Sequence, residues 1–140
     1  MLTLAAHYDV GLVAAGQIAD DQKLSLKYLE SLLRSLKSAR LIVSKRGTQG
    51  GYSLARPPAE ISLYDVLTPL ETAIDIVHCT EDWDSCGRSG TCGTQEVWQK
   101  LRDAVETILC TTSLADLLER QKTLDRKNAR SKHTFHGPSQ

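Results

Sequence analysis

Residues 25–57, SLKYLESLLRSLKSARLIVSKRGTQGGYSLARP, decide the fold, because they predict one amphipathic helix followed directly by a tight, basic hairpin. The apolar residues of the helical part recur at the spacing of one buried helix face: Leu26, Leu29, Leu33 and Leu36, with Leu32 widening the stripe. Ser25 is a predicted N-cap, because its hydroxyl can accept a hydrogen bond from a backbone N–H of the first turn.

The opposite face of the predicted helix is polar and mostly basic. Its side chains are Ser25, Lys27, Tyr28, Glu30, Ser31, Arg34, Lys37 and Ser38. Groups of these types can contact phosphates and base edges, so the face predicts a DNA-reading helix. The alternative is an ordinary helix whose charges are only solvated.

Two short apolar runs, residues 41–45 and 52–55, flank the basic, glycine-rich segment 46–51. Glycines allow the positive φ angles of a hairpin tip, and Pro57-Pro58 ends the pairing. A helix that runs into such a hairpin predicts a winged helix-turn-helix, with the helix in the major groove and the wing on backbone or minor groove. Lys45, Arg46 and Gln49 are the predicted wing contacts.

The flanking segments complete this fold. Residues 1–8 and 14–21 predict two further helices, and Asp20 to Lys23 supplies the turn before the third. Ser62 predicts a cap for a helix over 63–68, with Asp65 at the capping-box position. The predicted fold class is mainly α (α+β).

Charge and length restrict the class of protein. The 17 basic and 17 acidic residues cancel, but residues 1–56 carry eight basic and four acidic residues, while residues 57–95 carry one and seven. The basic charge therefore lies at the predicted reading element. Without an apolar run of about 18 residues or a signal peptide, we expect a cytoplasmic protein in a reducing compartment, whose four cysteines are not disulfides.

Three cysteines, Cys79, Cys86 and Cys92, lie in the glycine-containing segment 78–92. Soft thiolate ligands favour a thiophilic metal or an iron–sulfur cluster. Zinc is the weaker interpretation because structural zinc sites favour cysteine pairs two to four residues apart. Incidental cysteines are the remaining alternative. Candidates for a fourth ligand are His78, Gln95 and Glu96, ahead of Asp82 and Asp84, whereas Cys110 is predicted to lie in the core.

Residues 96–109 predict a long helix with an apolar face made of Val97, Trp98, Leu101, Val105, Ile108 and Leu109. Such a face on a DNA-binding chain favours dimerisation, and two-fold symmetry matches a palindromic site. Packing against its own domain is the alternative. Ser113 predicts a cap for a short helix over 114–120. The predicted organisation is a winged helix-turn-helix at 1–71, a cluster loop at 72–95, dimerisation and short C-terminal helices at 96–121, and a disordered tail at 122–140.

The helix, the wing Arg46-Gly47 to Gly50-Gly51-Tyr52 and the three-cysteine segment together resemble the bacterial winged-helix repressors that include IscR, NsrR and RirA. The resemblance implies a homodimeric transcription regulator, a repressor, whose cluster occupancy or redox state changes its affinity for double-stranded DNA. The two-fold symmetry of such a dimer predicts a palindromic operator. By position, Ser25, Lys27 and Glu30 would face the major groove and Arg46 would belong to the wing. Cys79, Cys86 and Cys92 would hold an iron–sulfur cluster.

The chain departs from this family at two positions. Members typically carry about a dozen residues ahead of the position of Met1, which complete the first helix of the helix-turn-helix. Gln95 stands where IscR-like members have a histidine ligand, so the resemblance leaves open a 2Fe-2S or a 4Fe-4S cluster.

Three functions from different classes follow from these features. The favoured one is a repressor that senses redox state, nitric oxide or iron through a cluster. A cluster-free regulator with thiol-based redox sensing is the alternative. A small electron carrier is disfavoured, because electron transfer has no use for a wing. An enzyme is not predicted, since the sequence has no phosphate-cradling glycine loop and no nucleophile–base arrangement.

Overall fold

The computed structural model describes residues 1–47, 49–70 and 91–133, with side chains described to residue 129. The α-helices of these described residues are α1 (Leu2–Ala6), α2 (Ala15–Gln22), α3 (Leu26–Ser38), α4 (Leu63–Leu67), α5 (Gln95–Thr111) and α6 (Leu114–His133). The strands β1 (Ile42–Lys45) and β2 (Gly51–Leu54) form one antiparallel hairpin. Short 3-10 turns lie at Pro58–Glu60 and Thr68–Leu70. This helical fold with a small two-stranded sheet confirms the predicted winged helix-turn-helix.

The core forms where α3 packs against the first helices and the hairpin. Leu29, Leu33 and Leu36 of α3 are buried, whereas Leu26 at its first turn is exposed and Leu32 is half-buried, so the buried stripe is narrower than predicted. The other buried core residues are Leu4, Ala5, Val13, Ile18, Ala19, Leu41, Ile42, Leu54, Ile61, Val66 and Leu114. The core therefore joins residues 1–70, here called the reading head, to the first turn of α6.

Local hydrogen bonds fix both ends of α3. The Ser25 hydroxyl oxygen accepts a hydrogen bond from the Tyr28 backbone N–H at 3.3 Å, which confirms the predicted N-cap. Beyond the helix, Arg40 has a φ of +59°, and the Leu41 N–H donates to the Leu36 carbonyl at 3.0 Å. A left-handed residue at this place ends a helix and satisfies its last carbonyls. Lys23, with a φ of +54°, ends α2 in the same way.

The hairpin pairs Ile42 with Leu54 and Lys45 with Gly51. Val13 adds a third segment, because its N–H and carbonyl exchange two hydrogen bonds of 2.9 Å with Tyr52. A Cβ at Gly51 would lie 2.7 Å from the Val13 carbonyl oxygen. Gly51 is thus required by the close approach of this third segment, whereas Gly47, with a φ of +117°, serves the hairpin tip as predicted.

The C-terminal helices are joined to the reading head at one corner. Ser62 forms the predicted capping box with Asp65 at the start of α4. A short antiparallel bridge pairs Ser62 with Ser113, between α5 and α6. From this corner α6 packs against α1 and the 3-10 turn Pro58–Glu60, while α5 contacts α4.

Helix α6 corrects the prediction of a short helix over 114–120 and a disordered tail from residue 122. The helix continues to His133, although its second half has no buried residue among those described. Strong helix formers without glycine or proline sustain it, together with contacts such as Gln121 to Asp125 at 2.9 Å. The absence of an apolar period after residue 122 therefore does not indicate disorder. Residues 134–140 lie outside the described part of the chain.

Cys110 is exposed, so the prediction that it lies in the core is wrong. It follows Leu101 by nine residues, which at 3.6 residues per turn places it about 180° around α5, on the polar face. None of the described helices has the length and apolar character needed to cross a membrane.

Candidate nucleic-acid interface

The five predicted DNA contacts on α3 and its N-cap are all exposed. Their side chains are Ser25, Lys27, Tyr28, Glu30 and Arg34. The apolar face of the same helix is held in the core, so α3 can turn only its polar side to a partner. The Ser25 hydroxyl oxygen is already an acceptor for the cap, which leaves its O–H as a donor to a partner.

The wing places its predicted contacts beside this face. Lys45, at the end of β1, and Arg46 and Gln49, in the connection to β2, are all exposed. Among the eight predicted contacts, four side chains are basic and Glu30 is the single acidic one. The combined surface is therefore electropositive, as contact with phosphates requires.

A contact that the sequence did not predict joins the helix to the wing. Lys37, in the last turn of α3, donates a hydrogen bond from Nζ to the Ser44 hydroxyl at 2.5 Å. Ser44 lies in β1 and pairs with Tyr52 of β2. The seven-residue separation of Lys37 and Ser44 gives no periodic signal, because the chain turns between them. This hydrogen bond, here called the lysine brace, connects the C-terminal end of α3 to the first strand of the wing.

Of the three predicted cluster ligands, Cys92 is the one that the structure describes. It is half-buried ahead of α5, its Sγ lies 3.2 Å from the Thr94 hydroxyl oxygen, and its carbonyl accepts a hydrogen bond from the Gln95 N–H at 3.1 Å. The partial positive charge at a helix N-terminus favours a nearby thiolate. Cys79 and Cys86 lie outside the described residues, as do His78, Asp82 and Asp84.

The candidates for a fourth ligand differ in their surroundings. Gln95 is half-buried at the first position of α5, and Glu96 is exposed and accepts a hydrogen bond from Lys100 Nζ at 2.6 Å. Within the described residues, no three ligating side chains converge on one point. The ligand set is therefore a prediction that depends on the segment 71–90.

Three of the six residues of the predicted dimerisation face of α5 are exposed, and Trp98, Val105 and Leu109 are half-buried. Val97 is 62% exposed, Leu101 is 41% exposed and Ile108 is 61% exposed, and no residue of this 17-residue helix is buried. Large apolar side chains in one exposed row commonly mark a surface for another protein.

A helix with a polar and basic outer face, next to an exposed basic wing, defines a winged helix-turn-helix protein that binds DNA. The chain belongs to the Rrf2 family, described as iron-dependent transcriptional regulators, which it matches over residues 1–120. It is therefore a transcription regulator and not an enzyme, as the sequence predicted.

Individual relatives agree with this assignment. The transcriptional regulator IscR of Serratia proteamaculans is 32% identical over 143 residues, which cover 100% of this chain and 87% of that protein. The structure of IscR from T. potens has a TM-score of 0.69 at 35% identity, covering 86% of this chain and 78% of its own. The oxidized form of CymR from Staphylococcus aureus has a TM-score of 0.68 at 34% identity, covering 84% and 86%.

Proposed function

We propose that the protein is a homodimeric repressor that binds a palindromic operator and changes its DNA affinity with the state of a cysteine-ligated iron–sulfur cluster. The observation that carries the DNA-binding part is the common exposure of all eight predicted contacts on α3 and the wing. The apolar side chains on the opposite face of α3 are buried in the core, so α3 cannot rotate to present a different face to DNA.

The residue types on this face suit specific recognition. Lys27 and Arg34 can bind phosphates or guanine edges, and Glu30 can accept a hydrogen bond from cytosine. Arg46 in the wing can contact the backbone or a narrow minor groove. The lysine brace from Lys37 to Ser44 would hold the wing at a constant distance from the helix while both are bound.

Selection from a random DNA library, followed by mobility-shift titration at several salt concentrations, tests this assignment. We expect a two-fold symmetric sequence. Arg46→Ala should weaken binding to all sequences and reduce the salt slope by about 1 if Arg46 meets phosphate, or relax specificity at one position if it reaches a base. Arg126→Ala, which removes an exposed arginine from α6, is the matched control. Parental affinity of Arg46→Ala at every salt concentration would exclude the wing contact.

The exposed face of α5 supports the homodimer. Two copies that cover this face for each other would remove Val97, Leu101 and Ile108 from water, and the two-fold axis would relate two reading heads. A palindromic operator presents two equal half-sites to such a pair.

Three thiolates, those of Cys79, Cys86 and Cys92, would hold the cluster. The half-buried position of Cys92 at the N-terminal end of α5 suits a thiolate ligand and connects the site directly to the predicted dimerisation helix. A bound cluster supplies sensitivity to redox state, nitric oxide or iron supply. A coupling of about 1 to 3 kcal/mol between the site and DNA binding would change operator affinity roughly 5- to 150-fold.

Anaerobic purification tests the cluster with two matched cysteine variants. The parent should be coloured and contain iron and sulfide, whereas Cys86→Ala should lose the colour and keep the DNA affinity of the cluster-free protein. Cys110→Ala is the control, because Cys110 lies exposed on the polar face of α5. A full cluster in Cys86→Ala, or unchanged operator affinity after cluster loss in the parent, would contradict the sensing mechanism.

A thiol-based regulator without a cluster is the second candidate, favoured by one comparison: a crystal structure of the similar CymR is of its oxidized form. The helix N-terminus near Cys92 would promote reaction of its thiolate with oxidants. Colourless, iron-free protein whose operator affinity changes with oxidant and recovers with reductant would support this candidate over the cluster.

A further inference from the structure

Two helices of the protein begin with the same four-residue cap. Ser62 to Asp65 starts α4 and Ser113 to Asp116 starts α6, each with the pattern Ser-Leu-x-Asp. In each, the aspartate N–H donates to the serine hydroxyl oxygen at 3.1 Å, and the serine N–H donates to the aspartate carboxylate at 3.0 and 2.9 Å. Both helix starts are therefore held by reciprocal capping boxes.

The two caps face each other across a short antiparallel bridge. The Leu63 N–H donates to the Thr112 carbonyl and the Leu114 N–H donates to the Ile61 carbonyl, both at 2.9 Å. Ile61 is 0% exposed and Leu114 is 1% exposed, so apolar side chains anchor the bridge in the core. We call this pair of caps with its bridge the paired-cap joint.

The joint connects the two parts of the molecule. Among the described residues, its two hydrogen bonds are the backbone hydrogen bonds that link the reading head to residues 91–133. On the reading-head side, Arg56, which follows β2, forms an ion pair of 3.0 Å with Asp65 of the cap. On the other side, the joint holds the corner between α5 and α6. A direct path therefore runs from the wing through Arg56 and the joint to α5.

We infer that the paired-cap joint sets the half-site spacing that the protein accepts in its operator. The inference rests on the proposed dimer, in which α5 relates two reading heads. Each head must then meet its half-site at a fixed distance and rotation from α5. One inserted base pair moves a half-site by about 3.4 Å and rotates it by about 35°. A rigid joint lowers the affinity for an operator whose spacing is changed in this way, whereas a loosened joint lowers that affinity less.

Leu63→Pro tests the joint by removing one hydrogen bond. Leu63 is the first residue of α4, where proline is well accepted, and Ser62 before it has a φ of −79° and a ψ of 163°, the conformation that precedes proline. The substitution removes the N–H that binds the Thr112 carbonyl. Leu63→Ala is the matched control, because it removes most of the side chain and keeps that N–H.

The readout is the ratio of affinities for operators that differ only in the central spacer, shortened or lengthened by one or two base pairs. We expect parent and Leu63→Ala to lose about tenfold in affinity for a one-base-pair change, as for a mismatched base pair. Leu63→Pro should lose about threefold or less, because one of two bridging hydrogen bonds is gone. General destabilisation would lower affinity for every spacer equally and leave the ratio unchanged.

Asp116→Ala loosens the joint from the α6 side and replaces Leu63→Pro as the test should the latter fail to fold. Asp125→Ala, which removes an exposed aspartate in the same helix, is its control. We expect a flatter spacing profile for Asp116→Ala than for Asp125→Ala. Identical profiles for each variant and its control would overturn the inference while the operator assignment stands. A parent that binds no symmetric operator would instead overturn the proposed function.

Discussion

Helices α3 and α5 have the same kind of amphipathic sequence, yet the burial of their apolar faces differs. In 13 residues α3 buries three leucines, whereas α5 buries none of its 17 residues. Their neighbours among the described residues differ: α3 packs against α2 and β1, while α5 contacts α4. An apolar period thus predicts that one face will be covered, but not whether the same chain or a second copy covers it.

The largest contrast should follow from the same truncation in each helix. Leu33→Ala in α3 should cost about 2–5 kcal/mol of unfolding free energy, because Leu33 is 3% exposed and its loss leaves a cavity. Leu101→Ala in α5 should cost less than about 0.5 kcal/mol in the monomer, since Leu101 lies on an exposed face.

Urea denaturation at two protein concentrations measures this contrast. For Leu33→Ala the loss should not depend on protein concentration, while any loss for Leu101→Ala should grow with dimer population. Equal, concentration-independent losses would mean that α5 packs in its own chain as tightly as α3 does.

A charge in the face of α5 should affect association rather than folding. Leu101→Glu would bring an unpaired carboxylate into the proposed dimer contact and weaken self-association at least about a hundredfold, or roughly 3 kcal/mol. Sedimentation should then show monomers. These monomers should no longer bind the operator in a mobility-shift titration, and their helix content should be unchanged. Thr107→Glu, on the exposed polar side of α5, is the control and should remain dimeric. A parent protein that is monomeric at micromolar concentration would rule out the dimer.

The smallest expected effect concerns the capping box of Ser113 and Asp116 at the start of α6. Hydrogen bonds from the Ser113 hydroxyl, and then from its backbone N–H, hold the pKa of Asp116 below its ordinary value. A lowered carboxyl pKa contributes stability that is present above the unfolded value of about 3.9 and is lost as pH falls through the folded value.

The stability difference between parent and Asp116→Ala should therefore be constant near neutral pH and shrink as the solution is acidified below about pH 4. Thermal unfolding of both proteins across this range measures it. Because the carboxylate is exposed, the difference should remain small at all pH values. A difference that is unchanged at the most acid pH would show that the hydrogen bonds to Ser113 do not depend on its charge.

Much of the reading head could be predicted because its signals are local. The leucine period, the Ser25 cap and the glycine-rich tip lie within 33 consecutive residues, and each acts on a neighbour in the chain. The predicted DNA contacts within α3, namely Lys27, Tyr28, Glu30 and Arg34, are exposed for the same reason: once the leucines are buried, helix geometry turns the other side chains outward.

Two predictions are wrong because a local sequence pattern does not include the position of the residue on its helix or the packing of the neighbouring segment. The helical segment around Cys110 predicts a core position for it, although helix geometry puts it on the polar side of α5, where it is exposed. The second half of α6 was predicted to be disordered because it lacks an apolar period, whereas continuity with a packed first turn and strong helix propensity extend the helix.

The sequence by itself determined the class of fold, the capped helix, the wing and the types of side chain that can meet DNA, because short-range sterics and periodicity specify each of them. The tertiary structure alone decided which glycine the Val13 segment requires, that Lys37 braces the wing, and that two Ser-Leu-x-Asp caps meet. Two of these contacts join residues far apart in the chain, Val13 with the β2 segment and Ser62 with Ser113, and the third joins α3 to β1 across a turn. Their partners are fixed only when the core brings the segments together.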